Sequence, residues 1–174
     1  MPLHEAVSTY FQGEKIEALV FIVPLGLLAM IFGAWLLTDG REPFARGAGW
    51  PFLVLGLSLA ITGGTVGFRT PAQVARIEAG LVAAPAETLS AEQARMAKVN
   101  AAWPIYATAF LAFALVGLGL RFALQSDFAR GIGVALVFFG GVGFVIDGFA
   151  ERRARVYVTA LHAPGSAVPG SSAH

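Results

Sequence analysis

Apolar residues fill four long runs of this chain, 16–38, 49–68, 101–124 and 132–150, and most polar residues lie between and beyond them. Each run is close to the roughly 20 residues that carry a helix across a bilayer core. None alternates as a barrel strand does. In lipid only helices and closed barrels satisfy every backbone group, so the runs predict four transmembrane helices. Pro24 lies inside the first run and Pro104 near the start of the third; each removes a backbone donor and is expected to bend its helix. Trp35, Trp50 and Trp103 fall near run ends, where amphipathic rings prefer the membrane interface.

The polar stretches have patterns of their own. Leu3, Val7, Tyr10 and Phe11 recur at i, i+4, i+7 and i+8, which predicts a short helix over 2–12, either lying in the interface or packed on the rest of the protein. The middle segment, 69–100, holds two helix-start signals. Thr70-Pro71 with Gln73 reads as a cap, a proline at the first helical position and a capping-box partner, followed by a face of Val74, Ile77 and Leu81. Pro85 ends that helix. Ser90 with Gln93 repeats the box and starts a helix through Met96, Val99 and Trp103 into the third span. Residues 151–162 are expected to continue the fourth span, with Val158 and Leu161 inward, and 163–174 to be disordered.

Two halves of the chain resemble each other. Phe44-Ala45-Arg46-Gly47 recurs as Phe128-Ala129-Arg130-Gly131, and the same ungapped offset of 84 pairs Gly33 with Gly117, Gly49 with Gly133, Gly56 with Gly140, Gly64 with Gly148 and Arg69 with Arg153. This reads as a duplicated helical hairpin, with one repeat over about 1–84 and the other over about 85–162. The whole is a single all-α four-helix transmembrane domain with short interfacial and cytoplasmic helices. Both hairpins would enter from the same side, related by a pseudo-twofold axis along the membrane normal. Gly49, Gly56 and Gly63, and again Gly133 and Gly140 with Asp147 in the third place, recur every seven residues, two helical turns. With Ala60, Gly64 and Gly148 they form the expected packing surface, bringing spans two and four together at the centre of a bundle.

Composition changes the picture little. The chain has 174 residues, is 56% hydrophobic and 13% charged, and carries 21 glycines without a collagen period. Its formal net charge of +1 makes no case for nucleic acid. The acidic residues before the first run, and the run's length, speak against a cleaved secretory signal. Lysine and arginine outside the spans divide eight to four in favour of the termini and middle segment over the two hairpin loops. That bias predicts a bacterial inner-membrane protein with both termini in the cytoplasm.

Candidate chemistry is sparse. Cysteine is absent, which removes thiolate catalysis, disulfides and cysteine-held metals. His4, His162 and His174 all lie outside the spans, so no haem or metal is expected within the bundle, nor any other cofactor. Asp147 is the one acidic residue deep in a run, and an ionisable group there is a functional candidate by default. It lies about 5 Å inside the boundary at 1.5 Å per residue, within reach of Arg69 or Arg153 as structural partners. Glu14 and Glu17 flank Lys15 and read as a solvated interfacial cluster. Serine and threonine in the spans are expected to bond the preceding turn or a neighbouring helix. The segment Glu92-Gln93-Ala94-Arg95-Met96-Ala97-Lys98-Val99-Asn100 loosely resembles the Glu/Arg/Asn-rich helix of the four-span glutathione-dependent membrane enzymes. Its spacing departs from that pattern and it precedes the third span, so no residue role is carried over.

Three readings follow. The favoured one is a non-enzymatic scaffold or small accessory subunit acting through helix packing in the lipid bilayer, as a homo-oligomer or within a larger membrane complex. The second is a small oligomeric transporter or channel using Asp147, with Arg69 and Arg153 beside it. The third is a membrane enzyme acting on lipid or thiol substrates.

Overall fold

The protein's computed structural model describes residues 3–163 and is helical almost throughout. In chain order, α1 (Leu3–Ile16), a π-helical turn (Glu17–Ile22) and α2 (Val23–Thr38) form one continuous rod of 36 residues. Three more rods follow: α3 (Pro43–Ala83), α4 (Pro85–Ala123) and α5 (Asp127–Leu161). Each of the four is long and apolar enough to cross a membrane. The chain is an all-helical integral membrane protein. At 1.5 Å per residue the 41 residues of α3 run for roughly 60 Å, about twice the hydrocarbon thickness, so these helices continue past the bilayer.

Local chemistry explains where the rods begin and break. Pro43 and Pro85 occupy first helical positions, where the missing N–H costs nothing. Ala84, before Pro85, is pushed out of the helical region to φ −147°, ψ 71°, and separates α3 from α4. Ser126 caps α5, its hydroxyl accepting from the Ala129 N–H at 3.4 Å. Pro24 does not merely bend its rod. It cannot donate to the Val20 carbonyl and its ring would strike it; the turn before it widens so that the Val23 N–H reaches the Ala18 carbonyl, five residues back.

Three expected boundaries are absent. The N-terminal segment is no separate interfacial helix but the first half of the α1–α2 rod. Thr70 caps nothing: α3 runs straight through Thr70-Pro71, and the Thr70 hydroxyl donates to the Val66 carbonyl at 2.7 Å. Nor does a helix start at Ser90, since α4 is already under way from Pro85. The short polar helices of the sequence reading are therefore extensions of the membrane helices. The continuation of α5 to Leu161, with Leu161 buried, is as expected. The expected disordered tail lies outside the described residues, Ala163 excepted.

Two cores hold the rods together. At the polar end, α1 and the projecting halves of α3, α4 and α5 bury Val7, Tyr10, Phe11, Ile77, Met96, Tyr157 and Leu161 in a four-helix head. The face of α1 read from the sequence is the face that is buried. Within the membrane, Ala29, Ala48, Phe52, Ala135 and Phe139 make a smaller core, with the Phe52 and Phe139 rings 5.4 Å apart.

Glycine sets the span-to-span contacts. A Cβ at Gly33 on α2 would stand 2.6 Å from the Leu53 nitrogen and 2.8 Å from the Gly49 carbonyl oxygen on α3. Eighty-four positions later, a Cβ at Gly117 on α4 would stand 2.6 Å from the Gly133 carbonyl oxygen and 2.9 Å from the Val137 nitrogen on α5. A Cβ at Gly56 would stand 2.8 and 2.9 Å from the Gly26 oxygen and Met30 nitrogen, and one at Gly140 2.7 and 2.9 Å from the Phe110 oxygen and Ala114 nitrogen. The contact between α3 and α5 is reciprocal, Gly47 against the Phe128 carbonyl and Gly131 against the Phe44 carbonyl. The heptad stripe thus faces the antiparallel neighbour, α2 or α4, and the Phe-Ala-Arg-Gly block, not the stripe, joins spans two and four. Gly49, Gly56, Gly63, Gly133 and Gly140 lie at close contacts with α2 or α4 instead of between spans two and four, and Ala60 lies against Gly26, but Gly64 and Gly148 face space with nothing within 4 Å. The neighbours run α2, α3, α5, α4, and α2 and α4 do not touch among the described residues.

Candidate functional site

The polar chemistry gathers where the helices leave the membrane. Glu92 falls on the same face of α4 as Leu89, Met96, Val99 and Trp103, at offsets of three, seven and more, and so is carried into the head core. Its side chain is only 7% exposed. The Arg95 guanidinium grips it through Nε to Oε2 at 2.8 Å and Nη2 to Oε1 at 2.6 Å, and the Tyr157 hydroxyl donates to Oε1 at 2.9 Å. The Arg95 plane also lies 5.4 Å over the Phe11 ring, and Tyr10 stacks on Tyr157 at 4.6 Å. Burial, then the Glu92 carboxylate, pushes the Tyr157 hydroxyl far above its ordinary value; burial, then Glu14, pushes Tyr10 up. Neither phenol gives up its proton at physiological pH. The arrangement is a satisfied clasp joining α4 to α5 under the lid of α1.

A second set of charges pins α1 down. Glu14 sits 3.8 Å from Arg69 of α3, and Glu17 pairs with Arg153 of α5. The Arg153 stem passes over Gly13, 2.8 Å from where a Cβ would stand, so a larger residue there would make the arginine shift. These carboxylates were expected to be a solvated cluster. They are 21% and 12% exposed, because the helix face that carries Val7, Tyr10 and Phe11 inward also carries Glu14 and Glu17. One Glu14 oxygen, Oε2, is buried without a hydrogen bond, and burial outweighs Arg69 to raise the Glu14 pKa.

Asp147 is not brought together with Arg69 or Arg153, both of which are engaged by α1. It makes no hydrogen bond or ion pair among the described residues. It lines a cleft between α4 and α5 with Trp103, Pro104, Ala107, Phe144, Gly148 and Glu151. Gly63, its counterpart 84 residues earlier, lets α3 close onto Val23 and the Ala18 carbonyl of the first rod. In the same place on α5 stands the Asp147 side chain, at the cleft toward α4. Span hydroxyls behave as expected: Ser58, Thr65 and Thr108 donate to the carbonyls of Val54, Ile61 and Pro104.

No protein family, characterised protein or solved structure matches the chain. The geometry stands alone.

A further concavity lies between the projecting halves of α3 and α4, lined by Arg69, Ala72, Gln73, Arg76, Arg95 and Val99. Sequence reasoning counted its arginines for orientation and did not see them converge. The signal was present in the spacing 69, 72, 73 and 76, one face of a helix.

Proposed function

We propose that this protein is a non-enzymatic integral membrane protein, a scaffold or small accessory subunit that works through helix packing, built as two duplicated hairpins related by a parallel pseudo-twofold axis. The observation that carries the reading is the distribution of contact. Spans meet backbone to backbone at glycines, and the outer flanks are left uncovered: in the most apolar 18-residue stretch of α4 only 6% is buried within the chain, against 28% for α5. The matched contacts 84 positions apart support the duplication. In this reading both termini and the head face the cytoplasm of a bacterial cell, and the uncovered flanks meet lipid, a second copy or a larger complex.

Native mass spectrometry on protein extracted gently from its own membranes tests this. A stable complex with other subunits, or a homo-oligomer, is the expected result; a monomer in every preparation removes the reading. Transport through an oligomer is the second reading, favoured by the unpaired Asp147 carboxylate in its cleft. It requires that Asp147→Asn abolish a proton- or substrate-dependent flux at normal expression.

A further inference from the structure

We propose that the cleft between the polar halves of α3 and α4 binds an anionic phosphate group at the membrane surface. Arg69 follows Phe68, which is 82% exposed at the end of the second span, so the mouth of the cleft stands where lipid headgroups begin. Arg69, Ala72, Gln73 and Arg76 follow one face of α3, and Arg95 and Val99 face them from α4. Three guanidinium groups with an apolar wall between them suit a phosphate ester: the planar forks take the oxygens, and the wall takes the carbon beyond. The space is about 580 Å³, the size of a small-ligand site rather than of a bare ion.

The three guanidinium groups keep donors to spare. Arg69 stands 3.8 Å from Glu14, beyond hydrogen-bond reach, and Arg76 makes no hydrogen bond or ion pair among the described residues. Arg95 commits Nε and Nη2 to Glu92 and keeps Nη1. No carboxylate lines the cleft. Glu14 and Glu92, which do not line it, pair with Arg69 and Arg95 and balance them, leaving the charge of Arg76 over. One excess positive charge matches a singly charged phosphodiester. Arg152, exposed on α5 at the same end, is not among the residues that line this cleft and serves as the comparison.

The same chemistry is offered by an anionic lipid headgroup and by a free phosphate, and the experiment separates them. Delipidated protein in neutral detergent is melted with a short-chain phosphatidylglycerol, a short-chain phosphatidylcholine, or inorganic phosphate. The expected result is a concentration-dependent rise in Tm with phosphatidylglycerol and none with phosphatidylcholine. Arg76→Gln, which changes an exposed side chain with no hydrogen bond or ion pair among the described residues, is expected to keep the lipid-free Tm and to weaken phosphatidylglycerol binding about tenfold or more, the loss of one charge-assisted contact. Arg69→Gln is expected to act in the same direction, and Arg152→Gln to bind as wild type. An equal response to inorganic phosphate assigns the site to soluble phosphate and keeps the cleft. No response to either anion overturns the proposal, as does unchanged binding in Arg76→Gln or equal weakening in Arg152→Gln.

Discussion

Glu92 and Glu14 differ in how completely they are answered, and their variants should differ in sign. All three donors on Glu92 are well placed, so removing the carboxylate strands a guanidinium and a phenol in the core. Glu92→Leu is expected to cost about 3–5 kcal/mol in unfolding from mixed micelles, with Glu92→Gln in between. Glu14 is the opposite case. Its folded pKa is raised above the ordinary 4.5, so the folded protein holds this proton more tightly than the unfolded chain does. The stability it contributes is present in full below pH 4.5 and is lost as pH rises through the raised value. Glu14→Gln should therefore raise Tm at neutral pH and flatten the melting profile across that window; a steeper profile would count against the buried oxygen as its cause. Neither role could be read ahead. The partners of Glu14 and Glu17 lie on α3 and α5, up to 136 residues away, and no local period encodes a pairing at that separation. Glu92 was nearer to legible, since it interrupts an apolar helical face.

At the scale of elements, glycine positions that look alike in sequence part into two kinds. Gly33 and Gly117 each face a backbone at about van der Waals contact, and a methyl group there must push two helices apart. Gly33→Ala or Gly117→Ala is expected to cost about 1–3 kcal/mol. Gly64 and Gly148 face open space, and Gly64→Ala should instead stabilise by about 0.5–1 kcal/mol through the stiffer unfolded chain. Thermal melts of these three variants check the division; equal effects at all three would remove the close contacts. The spans themselves were plain in the sequence because twenty apolar residues leave little else for a chain to do. Their ends were not. Thr70-Pro71 carries a start signal, yet α3 continues through Pro71, and the sequence of a cap and of such an interior proline is the same. The stripe of Gly49, Gly56 and Gly63 was visible as a stripe, but periodicity says that a face is smooth and not which neighbour takes it.

For the molecule as a whole, the order of neighbours can be tested directly because the chain has no cysteine. Phe52→Cys with Phe139→Cys, at rings 5.4 Å apart, should be bridged by a short bifunctional thiol reagent within one chain. Leu28→Cys with Leu115→Cys, on α2 and α4, should not be. Bridging of the second pair in a monomer would mean a closed bundle in place of the open order.

That open order has a consequence for the surrounding lipid. Two outer helices that never meet keep much of their circumference against an annulus of acyl chains, so the apolar length of α4 is matched to bilayer thickness with little help from neighbours. Thinner or thicker membranes would be met by independent tilting of α2 and α4 about their glycine contacts while the α3–α5 crossing stays fixed. Spin-label distances across α4 in bilayers of different chain length would record it. Hydrophobic mismatch is then not borne evenly by the protein but spent at its two edges.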